Sequence, residues 1–346
     1  MSNDLLPDYN ATGQDFGRRE HLGYSGPPII DIHAHVTMTR PDEAAKGVSN
    51  AAEMMLATAA EFGIGRTYSM CPPQDIAPLH ERLGTAIAFN GMISKNPDEP
   101  DAAAYRTLDQ FLQAGIEIVK LWAAPRGRDR GLLLDTPWRI EALNRARSAG
   151  IRVVMVHVGD PDAWWTHTYK DVTKFGTKAD QYPPLRKMIE LFADMTWVGA
   201  HMGGDPEHPD HLERLLEEFP QLHFDTSATK WQVREVSRHR DAVRSLLCRH
   251  PDRFLFGSDL VTGHMHAREH YVSRYWCQRT LWESTWMGPS PIHDPDFVPG
   301  EGEEPRPTLR GLDLPSEVLD KIYSGNARRI LGLAASPVDS PLPPMS

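Results

Sequence analysis

The chain has 346 residues, a net charge of −10, 40% hydrophobic residues and 24% charged residues. That length holds one large α/β domain or two ordinary ones, and the composition suits a globular chain with a sizeable core. The negative charge argues against a nucleic-acid partner, and scattered Cys71, Cys248 and Cys277 argue against a disulfide framework or a cysteine-based zinc site. The opening "MSNDLLPDYNATGQ" has no signal-peptide core, and no run nears the ~18 apolar residues of a membrane span. A cytoplasmic protein with no membrane partner is expected.

In chain order, β-rich runs recur as "PIIDIHAHV", "GIGRTYSM", "TAIAFNGMI", "IEIVKLW", "IRVVMVHV", "MTWVGAHM", "LHFDTSA" and "RFLFGSD", eight in all. Most are separated by segments of helical period, such as "EAAKGVSNAAEMMLATAAEF", "AAAYRTLDQFLQAG" and "DHLERLLEEFP". Near-continuous apolar strands alternating with amphipathic helices predict parallel strands covered by helices. Eight such units in roughly 230 residues predict a (β/α)8 TIM barrel, whose usual size is about 250. A doubly wound open sheet competes, but no Gly-rich phosphate loop follows the first strand.

The domain is expected over residues 28–333, after an N-terminal extension of 1–27 and before a flexible tail of 334–346. Long loops at 160–184 and 260–313 follow strands five and eight. Loops after barrel strands lie on the active-site face, so both are expected to be pocket walls. The second opens with the helix-like "AREHYVSRYWCQRTLWES", and "LPSEVLDKIYSGNARRILGL" reads as one closing helix.

The first strand carries the chemical question. Strand alternation puts Asp31, His33 and His35 on one face and Ile30, Ile32 and Ala34 on the other. Buried without partners, each polar group would cost on the order of 2–7 kcal/mol. His157, His201 and Asp259 end strands five, six and eight, where a barrel gathers its catalytic groups. Imidazole and carboxylate converging there suit a divalent metal such as zinc. Singly, each has a plainer role, as a satisfied core histidine or, for Asp259, a helix N-cap. "GHMHAREH" repeats the spacing at His264 and His266 with no apolar strand before it. The ordered set on strands one, five, six and eight stands apart from that decoy.

Arg126, Arg128 and Arg130 in "APRGRDRG" follow strand four, where a guanidinium can clamp a carboxylate; a solvated basic loop is the other reading. Arg126, Arg128, Trp122 and Trp164 are the substrate-binding candidates. Trp165, Tyr169, Trp231 and Trp276 are further candidates for an aromatic cavity wall, against ordinary packing.

"DIHAHV", "VMVHVGD", "GAHMGG" and "LFGSD" together resemble the signatures of the amidohydrolase superfamily. They are most similar to its amidohydrolase-2 branch, related to aminocarboxymuconate-semialdehyde decarboxylase, and the closing helix resembles that branch as well. The likeness spans residues 28–333 and speaks to fold and metal site more than to substrate. It implies one divalent ion, zinc first and manganese as the alternative, held by His33, His35, His157 and Asp259. His201 would then be catalytic, facing the bound water, and Asp259 would share the proton handling. Some relatives carry a carbamylated lysine bridging two metals, and Lys120 in "IVKLW" is the candidate for that role. A single metal is the preferred expectation, with Lys120 a structural or substrate-side charge, because a buried lysine beside a cation is disfavoured unless neutralised.

Such an ion brings the pKa of its water towards ~7, and His201 and Asp259 then move protons. The expected activity is hydrolysis of a small, carboxylate-bearing amide, ester or lactone. Non-oxidative decarboxylation is the second reading and a metal-stabilised binding protein the third. The expected partner is a small-molecule substrate, and the branch implies a homo-oligomer.

Overall fold

A computed structural model describes residues 9–41, 50–262, 267–300, 302 and 304–334. His264, His266 and the first part of the helix expected after strand one lie outside these residues.

Eight strands follow the predicted order: β1 (Ile29–His35), β2 (Ile64–Met70), β3 (Ile87–Ile93), β4 (Ile118–Trp122), β5 (Val153–His157), β6 (Thr196–Gly199), β7 (Leu222–Asp225) and β8 (Phe254–Leu255). With a short β9 (Leu260–Val261) they form one nine-stranded sheet, ordered β8-β7-β6-β5-β4-β3-β2-β1-β9. Every pairing in it is parallel. The connecting helices are α1 (Ala51–Glu61), α2 (Pro73–Leu83), α3 (Asp101–Gln113), α4 (Pro137–Ser148), α5 (Tyr182–Leu191), α6 (Pro209–Glu218) and α7 (Arg240–Arg249). The strand order never reverses, so the sheet has no switch point and is not doubly wound. It curls instead. Ile32 N–H donates to Phe256 O at 3.0 Å and Asp259 N–H to His33 O at 2.6 Å, bringing the chain after β8 back along β1. The architecture is TIM-barrel-like.

Period-two alternation sorts the apolar residues into two layers. Val154, Val156, Trp197 and Phe224 pack outward with the helices, while Ile118, Val153, Met155, Val198 and Leu255 pack inward. Each large apolar side chain buried this way contributes about 1.5–3 kcal/mol. The closing helix runs through Ser316–Asp320, a π-turn at Lys321–Gly325 and Asn326–Leu331. Its Ala327, Ile330 and Leu331 join the inner layer.

The two long segments are not plain loops. Residues 160–184 contain the helical turns Ala163–His167, Val172–Phe175 and Ala179–Gln181 before α5 begins. Residues 260–313 contain α8 (Arg268–Glu283) and a hairpin of β10 (Met287–Pro289) with β11 (Thr308–Arg310). Helix α8 is buried from Tyr271 to Glu283, so the expectation that this segment walls the pocket fails over most of its length. Trp276 packs edge-on against Phe16 and Trp286, and its indole N–H donates to Arg18 O at 3.3 Å. The helix-like stretch is a helix as expected, but one covered on all sides has no solvent-facing stripe to turn towards a pocket. Among the described residues no helix is long and apolar enough to cross a membrane.

His223, on β7, needs a neutral ring. Its Nδ1 lies 3.2 Å from Gln221 O, and its Nε2 faces Arg329 Nη2 at 3.3 Å. Burial, with Arg253 and Arg329 adding to it, brings its pKa down to about 4. In the unfolded chain this ring takes a proton near pH 6.5, so the unfolded state binds more protons between pH 6.5 and 4. Stability therefore falls as the pH drops through that window. Unfolding titrations should show His223→Gln relieving about 3 kcal/mol of the acid loss near pH 4, with no gain at pH 8.

Candidate metal centre

The site begins with an irregularity in β1. Its register against β2 shifts between Asp31 and Ala34. Ile30 and Ile32 consequently point into the barrel and Ala34 and Val36 outward, which reverses the simple alternation. Asp31 is not in the site. It accepts from Ser258 N–H at 3.0 Å and Ser258 Oγ–H at 2.5 Å. His33 and His35 both reach the rim, with ring centroids 5.8 Å apart.

His33 is gripped from behind. Asp225 Oδ2, at the end of β7, lies 2.8 Å from His33 Nδ1. A carboxylate only accepts, so the ring donates through Nδ1 and turns Nε2 towards the rim. There Asp259 Oδ1 lies 3.3 Å from His33 Nε2 and 3.1 Å from His35 Nε2. The donor atoms of His33, His35 and Asp259 all fall within 4.8 Å of one another. Burial and Lys120 oppose a second proton on His33, yet Asp225 and Asp259 outweigh them and hold its pKa above the ordinary value. A position that attracts positive charge between two imidazoles and a carboxylate fits a divalent cation. Lys120 intrudes, with Nζ 3.5 Å from His33 Nε2. Burial brings its pKa down to about 8 against the pull of Asp225 and Asp259.

His201 is presented by an unusual turn. His201, Met202, Gly203 and Gly204 all have positive φ, at 56°, 52°, 67° and 73°. Each non-glycine residue held so costs roughly 1–2 kcal/mol. Asp225 Oδ1 anchors the turn by accepting from His201 N–H at 2.8 Å. Ser227 Oγ–H donates to the same oxygen and lies 2.7 Å from His201 Nδ1. The one serine proton is spent on Asp225, so His201 donates through Nδ1 and keeps a bare Nε2. Burial, reinforced by His157 and His33, holds its pKa well below 6.5 although Asp259 pulls the other way. This ring therefore rests neutral.

His157 stands 4.7 Å from His201, ring to ring, and its Nε2 lies 2.8 Å from Asp160 Oδ1. It is not among the groups of donors that meet within 4.8 Å. The centre opens into a cavity of about 760 Å³ lined by Lys95, Lys120, Trp122, Arg126, Arg130, His157, Asp160, Trp164, Tyr169 and Trp231. Arg128 does not line it. Its Nη1 donates to Asp180 O at 3.2 Å, bracing the 160–184 segment instead. Trp165 is turned away too, donating to Gly176 O at 3.1 Å. Asp225, Ser227 and Asp160 were missed in the sequence; "LHFD", a strand ending in a carboxylate as "LFGSD" does, was the available signal for Asp225.

A parallel, barrel-like sheet with histidines and carboxylates at one rim defines an enzyme of the amidohydrolase type. The Amidohydrolase family model matches residues 30–333, and the chain belongs to that family. Its fold is similar to 2,6-dihydroxybenzoate decarboxylase from Rhizobium, at 14% identity and TM-score 0.52, over 89% of this chain and 99% of that one. It is also similar to a dihydroxybenzoic acid decarboxylase from Polaromonas sp. JS666, solved with manganese and 2-nitroresorcinol (12% identity, TM-score 0.51, 89% and 98% covered). An amidohydrolase from Burkholderia multivorans with bound zinc matches at 12% identity and TM-score 0.50, over 89% and 100%. No curated protein matches the chain.

A Cβ on Gly204 would overlap the Gly159 carbonyl, whereas one on Gly131 meets nothing within 4 Å at a similar φ of +68°. Gly131→Ala should cost about 1 kcal/mol in urea unfolding, and Gly204→Ala more than about 2 kcal/mol. Equal costs would mean that the β5 and β6 loops do not interlock.

Proposed function

We propose a metal-dependent enzyme acting on a small aromatic carboxylate, with non-oxidative decarboxylation as its reaction. Hydrolysis of an amide, ester or lactone is the second reading. The supporting observation is the lining of the cavity: Lys95, Lys120, Arg126 and Arg130 outnumber its carboxylates Glu99, Asp160 and Asp259, in a chain of net charge −10. Trp122, Trp164 and Trp231 supply flat apolar walls beside that positive charge. Decarboxylases among the fold neighbours favour the first reading.

We read the curled sheet as a closed (β/α)8 barrel of residues 28–333. In this reading His33, His35 and Asp259 hold one divalent ion, zinc or manganese, and His157 is the fourth donor. The ion supplies Lewis acidity towards a carboxylate, phenol or carbonyl oxygen. Arg126 and Arg130 draw in the anion, and the indole walls orient the ring. Bare His201 Nε2 accepts a proton from water or from the substrate's phenol and returns it. In decarboxylation the carbon–carboxylate bond breaks, CO₂ leaves, and the ring carbon takes that proton. In hydrolysis the same nitrogen relieves the attacking water of its proton.

Purified protein should carry one divalent ion per chain by elemental analysis, and His33→Ala/His35→Ala should carry none. Turnover of ¹³C-carboxyl hydroxybenzoates to labelled CO₂ should exceed acid release from matched esters and lactones. The reverse ranking would move the assignment to hydrolase.

His201→Ala should keep the ion while losing ~10²–10⁴-fold in rate, the usual contribution of an acid–base group. Asp259→Ala should lose both. Lys120→Met should leave metal content at one per chain; a fall from two to one would establish a bridging lysine.

A further inference from the structure

His157 has one side-chain hydrogen bond among the described residues, and Asp160 makes it. Asp160 is 2% exposed and lies three residues beyond His157, past the Gly159 that interlocks with Gly204. Both of its oxygens are engaged. Oδ1 lies 2.8 Å from His157 Nε2, and Oδ2 accepts from Tyr169 O–H at 2.5 Å. Tyr169 comes from the 160–184 segment, is 1% exposed, and is packed by Trp164, Trp165 and Phe175 at centroid distances of 5.7, 5.1 and 5.2 Å. One oxygen is thus pinned by a buried phenol, which leaves the other a single direction to point.

A carboxylate offers no proton, so a neutral His157 meets Asp160 as the Nε2–H tautomer and carries its lone pair on Nδ1. His33 is arranged in the opposite sense, held at Nδ1 by Asp225 with Nε2 turned to the rim. The His157 ring also neighbours three other rings, with centroids at 4.7 Å for His201, 6.2 Å for Trp231 and 6.4 Å for Trp122. Those contacts set the ring's plane but not which nitrogen carries the proton.

We propose that Asp160 is a positioning residue that fixes His157 with Nδ1 facing the centre, and that Tyr169 locks Asp160 in that role. The inference rests on the metal reading above and deepens it. It ties the cavity wall to the centre, because Tyr169 and Trp164 line the cavity that His157 faces. A displacement of the wall is passed to His157 through one carboxylate. The competing role for Asp160 is loop closure alone, holding the 160–184 segment through Tyr169.

Two measurements on the full chain separate these roles. The first is the histidine tautomer in metal-free protein, read by two-bond ¹H–¹⁵N correlation with His157 assigned by its loss in His157→Gln. The wild type should show Nε2–H. Asp160→Ala should shift His157 to Nδ1–H or to a mixture, and Asp160→Asn, which keeps an acceptor, should restore Nε2–H. The second is zinc affinity by competition with a chromophoric chelator, alongside the visible spectrum of the cobalt-loaded protein. Partners of this kind are worth ~10–100-fold in metal affinity, so Asp160→Ala should lose that much and Asp160→Asn should recover part of it. Tyr169→Phe should fall between them and change the cobalt spectrum.

Nδ1–H on His157 in the wild type would overturn the proposal, as would zinc affinity in Asp160→Ala within twofold of the wild type. If Asp160→Ala does not fold, the milder Asp160→Asn and Tyr169→Phe carry the same comparison. A wild type that binds neither zinc, cobalt nor manganese would overturn the metal reading instead, and the tautomer would still decide the role of Asp160.

Discussion

The rim of this barrel-like sheet depends on one buried carboxylate. Asp225 receives His33 Nδ1–H on one oxygen, and His201 N–H together with the Ser227 hydroxyl on the other. Burial alone would push such a group towards neutrality, but His33, His201 and Lys120 around it keep its pKa well below the usual range. It therefore stays ionised, and one charge orients two imidazoles belonging to two different strands. His33 turns Nε2 to the rim and His201 keeps a bare Nε2 because Asp225 and Ser227 have taken both Nδ1 protons. Removing that carboxylate would free both rings at once, whereas removing either ring leaves the other in place.

A second constraint holds the loops above it. Gly159 and Gly204 meet backbone to backbone, and Tyr182 O–H donates to Gly203 O at 3.2 Å. Further out, Lys178 Nζ lies 2.9 Å from Asp162, 2.7 Å from Asp205 and 2.6 Å from Glu207. One ammonium among three carboxylates clips the segment after β5 to the segment after β6. Such a group is held by mutual charge satisfaction, since its members would be costly to bury singly. The 160–184 segment is therefore braced at Arg128, Lys178 and Tyr169 and carries its aromatic walls on a stiff frame.

Much of this was legible in the sequence, because strand and helix periods are local properties. Eight apolar runs gave eight strands in the right order, and His33, His35, His201 and Asp259 came to one rim as their strand-terminal positions implied. What was not legible was set by contacts between distant segments. The β1 irregularity, which turns Asp31 away and Ile32 inward, leaves no trace in "IIDIHAHV", since it depends on the register against β2. Arg128 looked like its neighbours Arg126 and Arg130, and only the fold of the 160–184 segment gives it a different partner. Helix α8 was legible as a helix, but its burial all round was not, since that depends on what packs over it. Asp160 follows His157 by three residues, yet its hold on Nε2 needs a tyrosine nine residues further on.

The left-handed turn at His201–Gly204 bears on how the protein reaches this state. An isolated His201–Met202 pair prefers right-handed or extended backbone, so nothing local favours the native turn. It gains support only when Asp225, 24 residues later, accepts the His201 amide and Gly159, from the preceding loop, closes on Gly204. Strands β5, β6 and β7 must therefore be side by side before His201 takes its native backbone. During synthesis, when β6 has emerged and β7 has not, the sheet can begin to form while His201 still lacks the carboxylate that anchors its turn. The native backbone at His201 arrives late, with the segment that carries Asp225.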